Sequence, residues 1–153
     1  MYIICANGNA NSGKTTLLSD IPQILSGYNS KLINKAPAGL DPLDSRSTYR
    51  VDNKIVVITT PGDNEAEMKA NIKYVNMHNP DIWVTASRKK HLNHKYEKLV
   101  YQAIETFANA DQANRHILNL PAMKSFRKHV TEKSKKQHVE YLTKLKELFT
   151  RLI

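Results

Sequence analysis

Two glycines, a lysine and two threonines fall within the stretch Gly8-Asn9-Ala10-Asn11-Ser12-Gly13-Lys14-Thr15-Thr16. In this spacing, Gly-x4-Gly-Lys-Thr, they can hold a chain of phosphates. A polyphosphate is densely anionic and needs many donors in a small volume. Backbone N–H groups in a tight glycine-containing turn supply them, and the first turn of a following helix adds its unpaired amides and its dipole. Gly13 lets the backbone close on a phosphate without a side-chain clash. Lys14 can reach the β and γ phosphates of a triphosphate, and the Thr15 hydroxyl can ligate Mg²⁺. A chance match in a Ser/Asn-rich turn is the competing reading. The flanking pattern argues against it: an apolar strand before the loop and a helix after it.

Those flanking elements follow from periodicity. Tyr2–Ala6 is a short apolar run that reads as a buried strand. A helix is expected from Lys14 to about Ser26, closed by Gly27, with Pro22 kinking it or ending it at Ile21. Lys31–Asn34 suits a short strand, and Lys35–Ser45, punctuated by Pro37, Gly39 and Pro42, reads as a loop. Asp52-Asn53 joins two strands as a hairpin, and the unbroken apolar run Ile55–Ile58 fits a strand covered on both faces. A helix is expected from Asp63 to about His78, with Ala66, Ala70, Tyr74 and Met77 inward. Asp81–Ala86 is a further buried strand, Tyr96–Ala110 a helix, and Arg115–Leu120 a last strand. From Ala122 onward the chain reads as helical with a break near Thr131–His138, followed by an apolar stripe of Val139, Leu142, Leu145, Leu148, Phe149 and Leu152. Alternating strands and helices predict an α/β fold of three layers, with a mainly parallel sheet and one antiparallel hairpin strand. The 153 residues fit a single nucleotide-binding domain, 1–153, with a basic helical segment at 121–153.

The stretch from Gly8 to Leu18 resembles the Walker A loop of the P-loop NTPase superfamily and, locally, that of ferrous-iron-transport type GTPase domains. This likeness covers about a dozen residues. A weaker one runs from Ser47 to Asp63 and resembles GTPases of the translation-factor type, in which a hairpin leads into a strand ending Asp-x-x-Gly. There the acid supports Mg²⁺ and the glycine N–H meets the γ phosphate. Here the four residues are Thr59-Thr60-Pro61-Gly62. The resemblance therefore implies a γ-phosphate contact at Gly62, an α-phosphate contact at Thr16, and Thr59 near the metal, holding it through water. Thr59 brings no charge, so another carboxylate must compensate. Asp63 is the first candidate, and it also stands where these GTPases carry the residue that orients water. Asp41 or Asp44 is the second. Asp63 could equally be a helix N-cap. No Asn-Lys-x-Asp follows a later strand, so guanine recognition is unsupported and ATP is favoured over GTP.

In open α/β sheets ligands bind at the carboxyl ends of strands. Arg88 follows the strand Asp81–Ala86 at that end and could neutralise charge on a γ phosphate; Lys89 and Lys90 are less directional candidates. His91 and His94 lack the partners of a zinc site. Trp83 and the tyrosines read as core. The net charge is +9, and segment 121–153, with 9 Lys+Arg against 3 Asp+Glu, carries +6 of it. Its basic residues between 124 and 136 could meet a protein or nucleic-acid partner, or only aid solubility. The single Cys5 rules out an internal disulfide and fits a cytoplasmic setting. No apolar run is long enough to span a membrane. The expected activity is Mg²⁺-dependent binding and hydrolysis of a nucleoside triphosphate, with catalytic roles for Lys14, Asp63 and Arg88. A small-molecule or nucleotide kinase, or a non-catalytic nucleotide-dependent partner, are the alternatives.

Overall fold

The computed structural model describes residues 1–8, 12–38, 42–62, 64–88, 115–119 and 131–153, with side chains at 88 and 115–119 excepted. In chain order the elements are β1 (Tyr2–Gly8), α1 (Lys14–Ser19), α2 (Ile21–Leu25), β2 (Ser30–Pro37), β3 (Ser45–Val51), β4 (Lys54–Thr59), α3 (Glu65–His78), β5 (Ile82–Arg88), β6 (Arg115–Asn119) and α4 (Glu132–Leu152). The chain is thus mixed α/β. Its strands form one sheet in the order β2-β3-β4-β5-β1-β6. β4, β5, β1 and β6 are parallel to one another, while β3 pairs antiparallel with both β2 and β4.

Strand parity divides the core in two. Ile4, Ala6, Val56, Ile58, Ile82, Val84 and Ala86 point to one face, where Leu17, Leu18, Ile21 and Leu25 of α1–α2 and Leu145 and Phe149 of α4 cover them. Ile3, Cys5, Val57 and Trp83 point to the other, against Met68 and Val75 of α3. Fully burying each large side chain contributes about 1.5–3 kcal/mol. Covered on both faces, the sheet holds the carboxyl ends of β1, β4 and β5 in fixed register.

Several elements depart from the sequence expectation, each for a local reason. The first helix splits at Asp20, because Pro22 lacks an N–H and its ring would clash with the Leu18 carbonyl in a continuous helix. β2 runs on to Pro37, which an edge strand tolerates. The inward side of α3 is Met68, Asn71 and Val75, whereas Met77 is 72% exposed and Ala66 and Ala70 are exposed too. The break expected near Thr131–His138 falls at Thr131 alone: that residue is extended and caps α4, accepting from the Ser134 N–H at 3.1 Å while Ser134 Oγ accepts the Thr131 N–H at 2.8 Å, and the helix is continuous from Glu132. In the apolar stripe of α4, Val139 is 60% exposed and the later positions carry the packing. The helix expected over 96–110, the basic loop from residue 89 and the helical start at 122–130 lie outside the described residues. No helix among the described residues is long and apolar enough to cross a membrane.

Candidate functional site

β1 ends at Gly8, and α1 begins at Lys14 on the same edge of the sheet. Gly13, the residue before the helix, adopts φ 85° and ψ 12°, a left-handed conformation that a side chain would strain. The first bond of the helical ladder runs from the Leu17 N–H to the Gly13 carbonyl at 2.9 Å. The amides of Lys14, Thr15 and Thr16 therefore precede that ladder, at the end where donors gather. Lys14 is 6% exposed and turns back across the loop, its Nζ donating to the Gly8 carbonyl at 3.0 Å. A nearly buried ammonium is costly unless it serves a partner. Ser12 is 1% exposed, and its hydroxyl has no hydrogen-bond partner among the described residues. Thr16 is half-buried on the first turn. Asn9, Ala10 and Asn11 lie outside the described residues.

Among the described residues, the carboxylate that meets the start of α1 is Asp44; Asp41 lies outside them. Asp44 Oδ1 accepts from the Thr15 hydroxyl at 3.4 Å and from the Thr60 hydroxyl at 3.1 Å. Thr60 Oγ1 in turn accepts the Ser45 N–H at 2.9 Å, tying the start of β3 to the end of β4. Asp44, Thr15 and Thr60 thus bring three oxygens together at the helix start. Thr59 stands elsewhere. It is fully buried on the α3 face, where its hydroxyl donates to Thr85 Oγ1 at 2.9 Å and accepts the Trp83 Nε1–H at 3.0 Å. Strand parity separates the two threonines: Thr60 follows Ile58 onto the α1 face, and Thr59 follows Val57 onto the other. Thr59→Val, which keeps the shape and removes the hydroxyl, should destabilise the fold by about 1–3 kcal/mol, because the buried Trp83 Nε1–H loses this acceptor and Thr85 Oγ1 loses this donor. It should leave the metal requirement unchanged; urea denaturation and a Mg²⁺ titration check the two halves.

Gly62 lies flush against β5. A Cβ at this position would stand 1.9 Å from the Ala86 carbonyl oxygen and 2.7 Å from its carbon. Backbone cannot yield as a flexible side chain does, so Gly62→Ala should cost at least about 1–3 kcal/mol by overpacking. Chemical denaturation would report it. The turn is also held from the other side. Asn71, fully buried on α3, donates from Nδ2 to the Pro61 carbonyl at 2.6 Å and accepts Arg46 Nε–H at 2.8 Å. Burial lowers the pKa of the Arg46 guanidinium, and Glu67 and Asp44 act in the opposite direction.

Asp63 lies outside the described residues. The N-cap of α3 is its neighbour Asn64, whose side chain accepts the Glu67 N–H at 3.0 Å. The capping role considered for Asp63 belongs to Asn64. Arg88 closes β5, and its backbone registers with Gly8 at the start of the loop. Next to this pair, Ser87 Oγ donates to Asn7 Oδ1 at 3.4 Å. β1, which leads into the loop, thus has β5 directly on one side and β6 on the other, with β4 one strand further out than β5. Asp44, one of the two alternatives to Asp63, thus lies beside Thr15, and Thr60, which no motif spacing in the sequence singles out, lies with it. The parity of the tandem threonines against Ile58 was the available signal.

The oxygen set suits a hard cation. Mg²⁺ takes one or two carboxylates, with substrate phosphates and water completing its shell. No group of three or more His, Cys, Asp or Glu that could hold a metal occurs among the described residues, so a dense all-protein cage of the zinc type is not built from them. No protein-family model, curated protein or solved structure matches the chain.

Proposed function

We propose that the chain is a P-loop-type nucleotide-binding protein of three layers that binds a nucleoside triphosphate with Mg²⁺ and cleaves its terminal phosphoanhydride. The observation that carries this reading is the buried Lys14 ammonium at 3.0 Å from the Gly8 carbonyl, directly after a left-handed Gly13. The lysine reaches from the start of α1 back to the end of β1, at Gly8. A triphosphate entering this junction replaces the carbonyl as the partner of Nζ, and the amides at the helix start meet the β and γ phosphates. The junction also offers the Ser12 hydroxyl, which has no hydrogen-bond partner among the described residues.

Thr15 and Asp44 would hold Mg²⁺, Asp44 through water, with Thr60 fixing the carboxylate. The metal would spread the negative charge that develops on the phosphate oxygens. Gly62 and its amide, pinned by Asn71 through Pro61, contact the γ phosphate. Arg88, registered with Gly8, neutralises the developing charge, and Asp63 orients the attacking water. ATP is favoured because no guanine-reading motif follows a later strand. The basic residues 124–136 are kept as a surface for a protein or nucleic acid. The buried Cys5 thiol, 3.2 Å from Ser87 Oγ, suits a cytoplasmic setting.

Isothermal titration with ATP, GTP and their diphosphates, each with and without Mg²⁺, tests the reading. Micromolar or tighter ATP binding that strengthens with Mg²⁺ is expected. Absence of heat with every nucleotide would overturn it.

A further inference from the structure

A cavity of about 530 Å³ lies between α1–α2 and the β2–β3–β4 end of the sheet. Its position is informative. Asp44 and Thr60 form part of its wall, and the same two side chains touch each other and, through Asp44, Thr15. The cavity therefore opens where the terminal phosphate of a bound triphosphate would end. From this juxtaposition we propose that the cavity is a second-substrate site, receiving a neutral, ring-bearing alcohol of nucleoside size that accepts the terminal phosphoryl group. This rests on the nucleotide-binding reading above.

Four features of the wall select that class. Its volume falls within the range of about 300–1,000 Å³ that small-molecule sites occupy. Its floor is apolar, with Leu18 and Ile58 almost fully buried and Tyr49 half-buried beside them. An aromatic ring and apolar side chains bind the face of a flat or aliphatic ring. Its polar groups are mostly hydroxyls, with Ser45, Ser47, Tyr49 and Thr60 in the lining. Among the described residues of the lining charge is balanced, with Lys35 the one cation and Asp44 the one anion. A phosphorylated or carboxylated acceptor would call for a surplus of cations, so the wall favours an uncharged occupant.

The transfer balances without a further reagent. The acceptor oxygen forms a bond to the γ phosphorus while the bond from that phosphorus to the β,γ-bridging oxygen breaks. The electron pair leaves with the nucleoside diphosphate. The hydroxyl proton passes to a non-bridging oxygen of the transferred group and then to solvent, as a loose transition state with little demand for a base allows. Water serves as the acceptor when the cavity is empty.

Full-length protein, Mg²⁺ and γ-labelled ATP would be incubated with ribonucleosides, deoxyribonucleosides and neutral hexoses, each at millimolar concentration. At least one probe should become labelled about ten times faster than label appears in inorganic phosphate, as expected of a site that favours one acceptor over water. Ser47→Phe, which fills the cavity, should lower that transfer at least tenfold. Leu43→Trp at the 47%-exposed rim should lower it as well, and being a surface change it guards against loss of fold. Label found only in inorganic phosphate with every probe, while ATP still binds in titration, would overturn the second site and leave the nucleotide reading intact. Failure of ATP to bind would overturn both.

Discussion

Lys14→Ala should abolish most triphosphate binding while leaving the fold in place. The ammonium makes charge-assisted bonds to the terminal phosphates, and such bonds are worth about 1.5–3 kcal/mol each. Losing about 2.7 kcal/mol raises the dissociation constant on the order of 100-fold. The ligand-free protein responds quite differently. There the ammonium is nearly buried and donates to the Gly8 carbonyl, so its desolvation offsets much of what the bond contributes. The variant without nucleotide should melt within about 4 °C of the parent chain, the shift that roughly 1 kcal/mol produces at this size. A lysine that was purely structural would give the opposite pattern: a large loss of melting temperature and no change in nucleotide affinity. Calorimetric titration and a thermal melt, run on the same preparation, separate the two.

Asp44→Asn should uncouple nucleotide binding from the metal. Asparagine keeps the shape and an oxygen that can accept from Thr15 and Thr60, so the link between β3, β4 and α1 survives. What disappears is the negative charge. Replacing a group that supports a metal at this distance typically lowers metal affinity about 10–100-fold. The apparent Mg²⁺ affinity of the ATP complex should fall by that factor, and turnover at fixed Mg²⁺ should fall with it. Titration with ATP in EDTA should be almost unchanged. If the variant and the parent showed the same Mg²⁺ dependence, the carboxylate would belong to Asp63 or another residue, and Asp44 would be a loop tie alone.

Much of this was legible in the residues, and the remainder was not for identifiable reasons. The spacing from Gly8 to Thr15 announces a turn between a strand and a helix, and the structure has β1, a left-handed Gly13 and α1 at those positions. The hairpin at Asp52-Asn53 was also readable, with Asp52 at φ 50°. The inward side of α3 was not. Alanines at 66 and 70 suggested one stripe, but Asn71 is drawn inward to bind the Pro61 carbonyl and Arg46, and that turns Met68 and Val75 to the sheet. A polar residue recruited to the core by a distant turn leaves no periodic trace. The position of β5 between β1 and β4 was equally hidden, since strand order depends on crossovers that no local pattern records. It brings Arg88 into register with Gly8, while Thr59 is turned into the core beside Trp83. Asp44 reaches Thr15 across 29 positions of sequence through the tertiary path of β3, so no local spacing could rank it above Asp63.

The most direct test is a crystal structure with Mg²⁺ and a non-hydrolysable ATP analogue. The β and γ phosphates are expected at the junction of β1 and α1, with Lys14 Nζ moved from the Gly8 carbonyl onto a phosphate oxygen and the metal between Thr15 and Asp44. An empty junction at saturating analogue, with Lys14 still bonded to Gly8, would contradict the central claim.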